Sequence, residues 1–116
     1  MASDTRPPEE HELYVGEEAV VYCFDFTDDP ALTGGATIAS PAVTLENAKI
    51  TAGTPVVLVT DFTQLDRAGN TIRTVSAGKG VKVSLTAVTR GTCDVTMKVT
   101  ASDGQKPGVR ARFKVL

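Results

Sequence analysis

Few side chains in this 116-residue chain could do chemistry. His11 is the single histidine. It stands in Glu9-Glu10-His11-Glu12, a charged stretch without the packed surroundings that hold an imidazole as a general base. It therefore reads as solvated. Asp25, Asp28 and Asp29 gather carboxylates, but their spacing matches no calcium loop and no glycine stands where such a loop turns. Asp28 and Asp29 read instead as turn caps. Gly34-Gly35 and Gly78-Lys79-Gly80 do not sit between a strand and a helix, so neither reads as a phosphate loop. No Ser-His-Asp set and no carboxylate pair can be assembled. The expectation is a protein with no catalytic residues, no metal and no cofactor.

The elements that would position these residues are strands. Apolar residues make up 41% of the chain and charged residues 22%, enough for one core in a domain of 12.2 kDa. Valine (15) and threonine (16) far outnumber leucine (7), and tryptophan is absent. Side chains branched at Cβ fit a pleated surface and crowd a helix. Val20, Tyr22, Phe24 and Phe26 alternate along a first run, which ends at Asp28-Asp29-Pro30. Residues 36–45 form a second run, where Pro41 marks a bulge or an edge. Residues 49–51 and 71–75 are short strands, and the apolar run 55–62 is expected to be buried on both faces. Three further runs alternate with period two. They are Val81, Val83, Leu85, Ala87; then Cys93, Val95, Met97, Val99, Ala101; then Val109, Ala111, Phe113, Val115. Joined by short turns, they predict an antiparallel meander with one buried face. Seven or eight such strands predict an all-β, immunoglobulin-like antiparallel β-sandwich. No apolar run approaches a membrane span, and no export leader is expected after Met1.

Cys23 and Cys93 are the only cysteines. Their separation is about that of the inter-sheet disulfide in immunoglobulin domains. Strand parity opposes a bridge. Cys93 shares the face of Val95 and Met97, whereas Cys23 is out of phase with Tyr22, Phe24 and Phe26. Two free thiols are expected.

Charge is divided unevenly. Residues 1–30 carry −8 and residues 31–116 carry +6. Residues 1–17 read as an extended acidic N-terminal arm, with residues 18–116 as the sandwich. Arg110, Arg112 and Lys114 share one face of the last run, and Lys98 and Lys82 are expected to join them. The arm would meet this basic face on another copy through Glu9, Glu10 and Glu12. Leu13, Tyr14 and Val15 would dock as an added strand. The cations are dispersed and no stacking aromatics accompany them, so nucleic acid is not the expected partner.

The run Val21-Tyr22-Cys23-Phe24-Asp25-Phe26, followed by Leu32-Thr33-Gly34-Gly35-Ala36-Thr37-Ile38-Ala39-Ser40, resembles the opening of small immunoglobulin-like virion proteins of tailed bacteriophages, the fiber–tail adaptor type. The ending is similar too, in Gly91-Thr92-Cys93-Asp94-Val95-Thr96-Met97-Lys98-Val99-Thr100-Ala101-Ser102-Asp103-Gly104 and Arg110-Ala111-Arg112-Phe113-Lys114-Val115-Leu116. Cys93 stands where that family's penultimate strand usually has an aromatic residue. The resemblance implies a non-enzymatic structural protein of the virion, an adaptor or connector of the neck or tail. Its expected partners are portal, tail, fiber or capsid proteins and further copies of itself in a symmetric assembly. It would be made in the host cytoplasm, with no membrane association. A capsid decoration protein and a carbohydrate- or cell-surface-binding module are the alternatives.

Overall fold

The structure is a computed structural model describing residues 9–27, 37–65 and 68–116. The described residues form ten strands and no helix. They are β1 (Glu9–Leu13), β2 (Val20–Asp25), β3 (Ile38–Leu45), β4 (Ile50–Ala52), β5 (Val56–Val57), β6 (Phe62–Leu65), β7 (Thr71–Val75), β8 (Gly80–Ala87), β9 (Gly91–Ala101) and β10 (Gly108–Val115). A front sheet has the order β1-β10-β9-β3. A back sheet has the order β2-β8-β4, with β5 also paired to β8. All pairings are antiparallel except β1 with β10, which is parallel. This is the all-β sandwich that the alternating runs imply; the parallel β1–β10 pair makes the front sheet mixed where antiparallel pairing throughout is expected from the sequence, and ten strands are described where seven or eight are expected.

The alternation decides which side chains are buried. Along β9, Cys93, Val95, Met97, Val99 and Ala101 are buried while Thr92 and Lys98 are exposed. Val81, Val83 and Leu85 on β8 meet them from the back sheet, together with Tyr22, Phe24 and Phe26. Each such aliphatic or aromatic side chain contributes about 1.5–3 kcal/mol by leaving water.

Two expectations require correction. Successive runs β8, β9 and β10 do not form one meander. β8 pairs with β2, β4 and β5, and only β9 and β10 pair with each other. Alternation marks the buried face of a strand but not its sheet, and the chain between Ala87 and Gly91 crosses from one sheet to the other. Nor is the run 55–62 a strand buried on both faces. It holds the two-residue β5, and Val59 is 86% exposed.

The bulge at Pro41 is present. The β3–β9 register shifts between Ala39 and Ala42, and Ser40 takes φ 52°, a conformation uncommon for residues with a Cβ.

β6 and β7 form a hairpin over the outer face of the back sheet. Beneath it lies a second small core of Cys23, Leu58 and Val75, with Phe62 packed against it. Gly80 makes this close approach possible, because a Cβ there would stand 2.6 Å from Val75 Cγ1. Tyr22, Cys23 and Phe24 are therefore all buried, with Cys23 in one core and its two neighbours in the other.

Candidate interaction surface

The sequence-predicted site residues divide between both sheets. Arg110, Arg112 and Lys114 lie on β10 and Lys98 on β9, on the outer face of the front sheet. Cross-strand register orders that face in rows. Lys114 stands beside Thr92, Arg112 beside Asp94, and Arg110 beside Thr96 and then Thr44. Lys98 lies between Gly108 and Ala42. Arg112 is engaged: its Nε donates to Asp94 Oδ1 at 2.9 Å and its Nη2 to Oδ2 at 3.3 Å. That hydrogen-bonded guanidinium holds the Asp94 carboxyl below its ordinary value, against some desolvation. Lys98, Arg110 and Lys114 remain exposed on a threonine-rich face.

Lys82 does not belong to this face. It lies on β8, opposite Cys23 and Val56, on the outside of the back sheet. Its period matches that of Lys98, but the strand crossing places the two on opposite sides of the sandwich.

The acidic segment is also placed differently. Glu9, Glu10 and Glu12 belong to β1, a strand of this chain's own front sheet. Parallel pairing sets Glu10 opposite Arg112 and Glu12 opposite Lys114. The acidic start thus meets the basic strand within one molecule, where no loop-closure or association cost beyond folding is added. Leu13 is 2% exposed in the main core, so it is not available to a neighbour's edge. Tyr14 and Val15 are exposed, and their main chain is tied locally. Val15 N–H donates to Leu116 O, Leu116 N–H to Leu13 O, and Tyr14 N–H to Glu17 Oε1. The folded unit therefore begins by Glu9, and residues 9–17 are not a separate arm.

A cluster that the sequence reading missed joins the two sheets. His11 is half-buried, not solvated, with Nε2 3.0 Å from Tyr22 Oη. The two rings meet edge to face at 4.7 Å, and the imidazole also lies 5.4 Å from the Phe113 ring. Arg73 Nη2, from the hairpin, donates to Tyr22 Oη at 3.1 Å and to Cys23 O at 3.2 Å. Gln64 Oε1 accepts from Cys23 N–H at 2.9 Å. These side chains satisfy the main chain of Cys23, which faces outward from edge strand β2. A cleft of about 950 Å³ borders the cluster, lined by Leu13, Val20, Leu65, Ile72 and Phe113 among others. The one sequence signal was the alternation of His11 and Leu13 with Glu10 and Glu12.

The thiols serve packing. Both are free and buried, in separate cores. Burial pushes the Cys23 thiol up to about 11, partly countered by Arg73, which leaves it a poor nucleophile. The Asp25 carboxylate accepts from Thr27 N–H and Oγ1 at 2.9 and 2.6 Å, closing a local turn. Asp28 and Asp29, like Gly34 and Gly35, lie outside the described residues. Among the described residues no three His, Cys, Asp or Glu side chains come together as metal ligands.

Comparison of the chain with known protein families, curated proteins and solved structures finds no match. Of the residues that carry the phage resemblance, residues 21–25 lie on β2, residues 38–40 on β3, residues 91–101 on β9 and residues 110–115 on β10, while residues 32–36 lie outside the described residues.

Proposed function

We propose that this chain is a non-enzymatic structural protein of a tailed-phage virion. It acts as an adaptor or connector of the neck or tail and works through subunit contacts. Its direct partners are other virion proteins, and it assembles symmetrically with copies of itself. The observation that carries this reading is the front sheet's outer face. Lys98, Arg110 and Lys114 stand exposed on a threonine-rich surface, whereas His11, Tyr22, Arg73 and both cysteines are engaged in packing. A rigid β-face with long-reaching cations suits docking onto an acidic protein surface. The sequence resemblance supplies the virion context.

The test is incorporation into particles. Purified virions should contain the protein by mass spectrometry. A Lys98→Glu, Arg110→Glu variant should fold and yet be depleted from particles. Absence of the wild-type protein from virions, or wild-type incorporation of the folded variant, would overturn the reading.

A further inference from the structure

The edges of the two sheets are not equally protected. At Cys23, the β2 edge is covered by Gln64 and Arg73. The first half of the β3 edge is blunted by Ser40 and Pro41 at the bulge, as natural sheets blunt edges. Among the described residues the second half of β3 carries no bulge or proline, although β4 and β5 of the back sheet approach β3. Glu46 N–H donates to Asp94 O at 2.9 Å, so the alternation of antiparallel pairing turns the main chain of Ala42 and Thr44 toward β9. That of Val43 and Leu45 turns outward, and among the described residues β3 ends the sheet. Among the described residues no hydrogen bond reaches the outward N–H or C=O of Val43 or Leu45.

We propose that residues 42–46 pair antiparallel with the same residues of a second copy. The edge is self-complementary, as a two-fold contact requires. Val43 pairs with Leu45 of the second copy through main-chain bonds, and the reverse pair forms by symmetry. Thr44 then faces Thr44 of the second copy across the axis, in a non-hydrogen-bonded pair. Charges agree with this register. Ala42, the neighbour of Lys98 on β9, would face Glu46 of the second copy. Lys98 reaches over the small Ala42 toward that carboxylate, whose Oε1 already accepts from Asp94 N–H of its own chain at 3.1 Å and whose remaining lone pairs would take the lysine, and symmetry provides the contact twice. Lengths agree as well. Pro41 and the Asn47 turn, whose Oδ1 accepts from Lys49 N–H, bound the edge on both copies, whereas a longer foreign strand would meet the bulge. The result is a continuous sheet through two sandwiches. This rests on the part of the proposed function that has copies assemble with one another, and is tested apart from the virion context, because self-association is measured on the isolated chain.

The experiment is cysteine cross-linking with sedimentation. The native thiols are buried, so an added surface thiol reports alone. Thr44→Cys should form disulfide-linked dimers at least about tenfold faster than Thr96→Cys, through the effective concentration that pairing creates. Lys98→Glu should weaken wild-type association about threefold, as an exposed ion pair allows. Val43→Pro removes the outward N–H at a position where an edge strand tolerates proline, and should abolish the fast cross-link while circular dichroism stays native. Should that variant unfold, the Thr44→Cys to Thr96→Cys rate ratio still decides. Equal rates would overturn the proposal. So would a wild-type chain that stays monomeric up to ~1 mM, far above micromolar association. Pairing of this edge with a different virion protein alone would overturn it too.

Discussion

The Tyr22 hydroxyl lies 3.0 Å from His11 Nε2 and 3.1 Å from Arg73 Nη2. One phenol thus ties β1 of the front sheet, β2 of the back sheet and the β6–β7 hairpin together. Tyr22 is 4% exposed, so these bonds form where water competes poorly.

Tyr22→Phe keeps the ring and removes that junction. It should cost about 1–2 kcal/mol, as loss of a buried hydrogen-bonding group does. Urea denaturation should show a lower midpoint with an unchanged slope. An unchanged midpoint would mean that His11 and Arg73 do not depend on the hydroxyl.

Leu13→Ala should cost about 2–4 kcal/mol, because it opens a cavity in the main core. Removal of the first 13 residues, which takes away β1 as a whole, should cost more and expose the edge of β10. Thermal unfolding of both variants checks this. A truncated chain as stable as the full chain would restore the separate-arm boundary at residue 17.

Gly80→Ala places a methyl group 2.6 Å from Val75 Cγ1 and 3.0 Å from Cys23 Sγ. Overpacking of this kind costs about 1–3 kcal/mol. The strain falls on the hairpin, so hydrogen exchange should rise in β6 and β7 before it rises in β9 and β10.

The raised Cys23 value makes stability depend on alkaline pH. Folding holds the thiol protonated up to about 11, against the ordinary value of 9.0. This contribution is complete below the ordinary value and is lost as pH rises from there through about 11. Cys23→Ala should lose that part of the alkaline decline. Alkylation of native protein at neutral pH should be slow at both thiols and complete after denaturation.

Arg112→Ala should change stability by less than about 1 kcal/mol, since the Arg112–Asp94 pair is partly solvated and screened. Asp94 is depressed by the arginine, so the pair stabilises the fold above the ordinary carboxylate value. That contribution fades as pH falls through the lowered one. The wild type and Arg112→Ala should therefore converge in acid denaturation.

Much of the architecture was legible in the sequence, for a local reason. In a strand the side-chain period is two, so Val95, Met97 and Val99 announce a buried face wherever the strand lies. The same parity placed Cys23 and Cys93 on different faces, and Pro41 marked the bulge without reference to any partner strand. Lys82 shows where this reasoning ends. Its phase equals that of Lys98, yet it lies on the other sheet, because the turn after Ala87 crosses the sandwich and local periodicity carries no record of that crossing. Glu9, Glu10, Glu12 and Leu13 read as a polar arm because their composition is hydrated. Only the parallel register with β10 turns them into an edge strand of the sandwich, opposite residues 111–115, with Leu13 in the core. The junction of His11, Tyr22, Arg73 and Gln64 likewise draws on four separate stretches of chain. Its geometry is fixed by long-range packing, which decides what tertiary contacts a side chain makes after its own strand has decided which way it points.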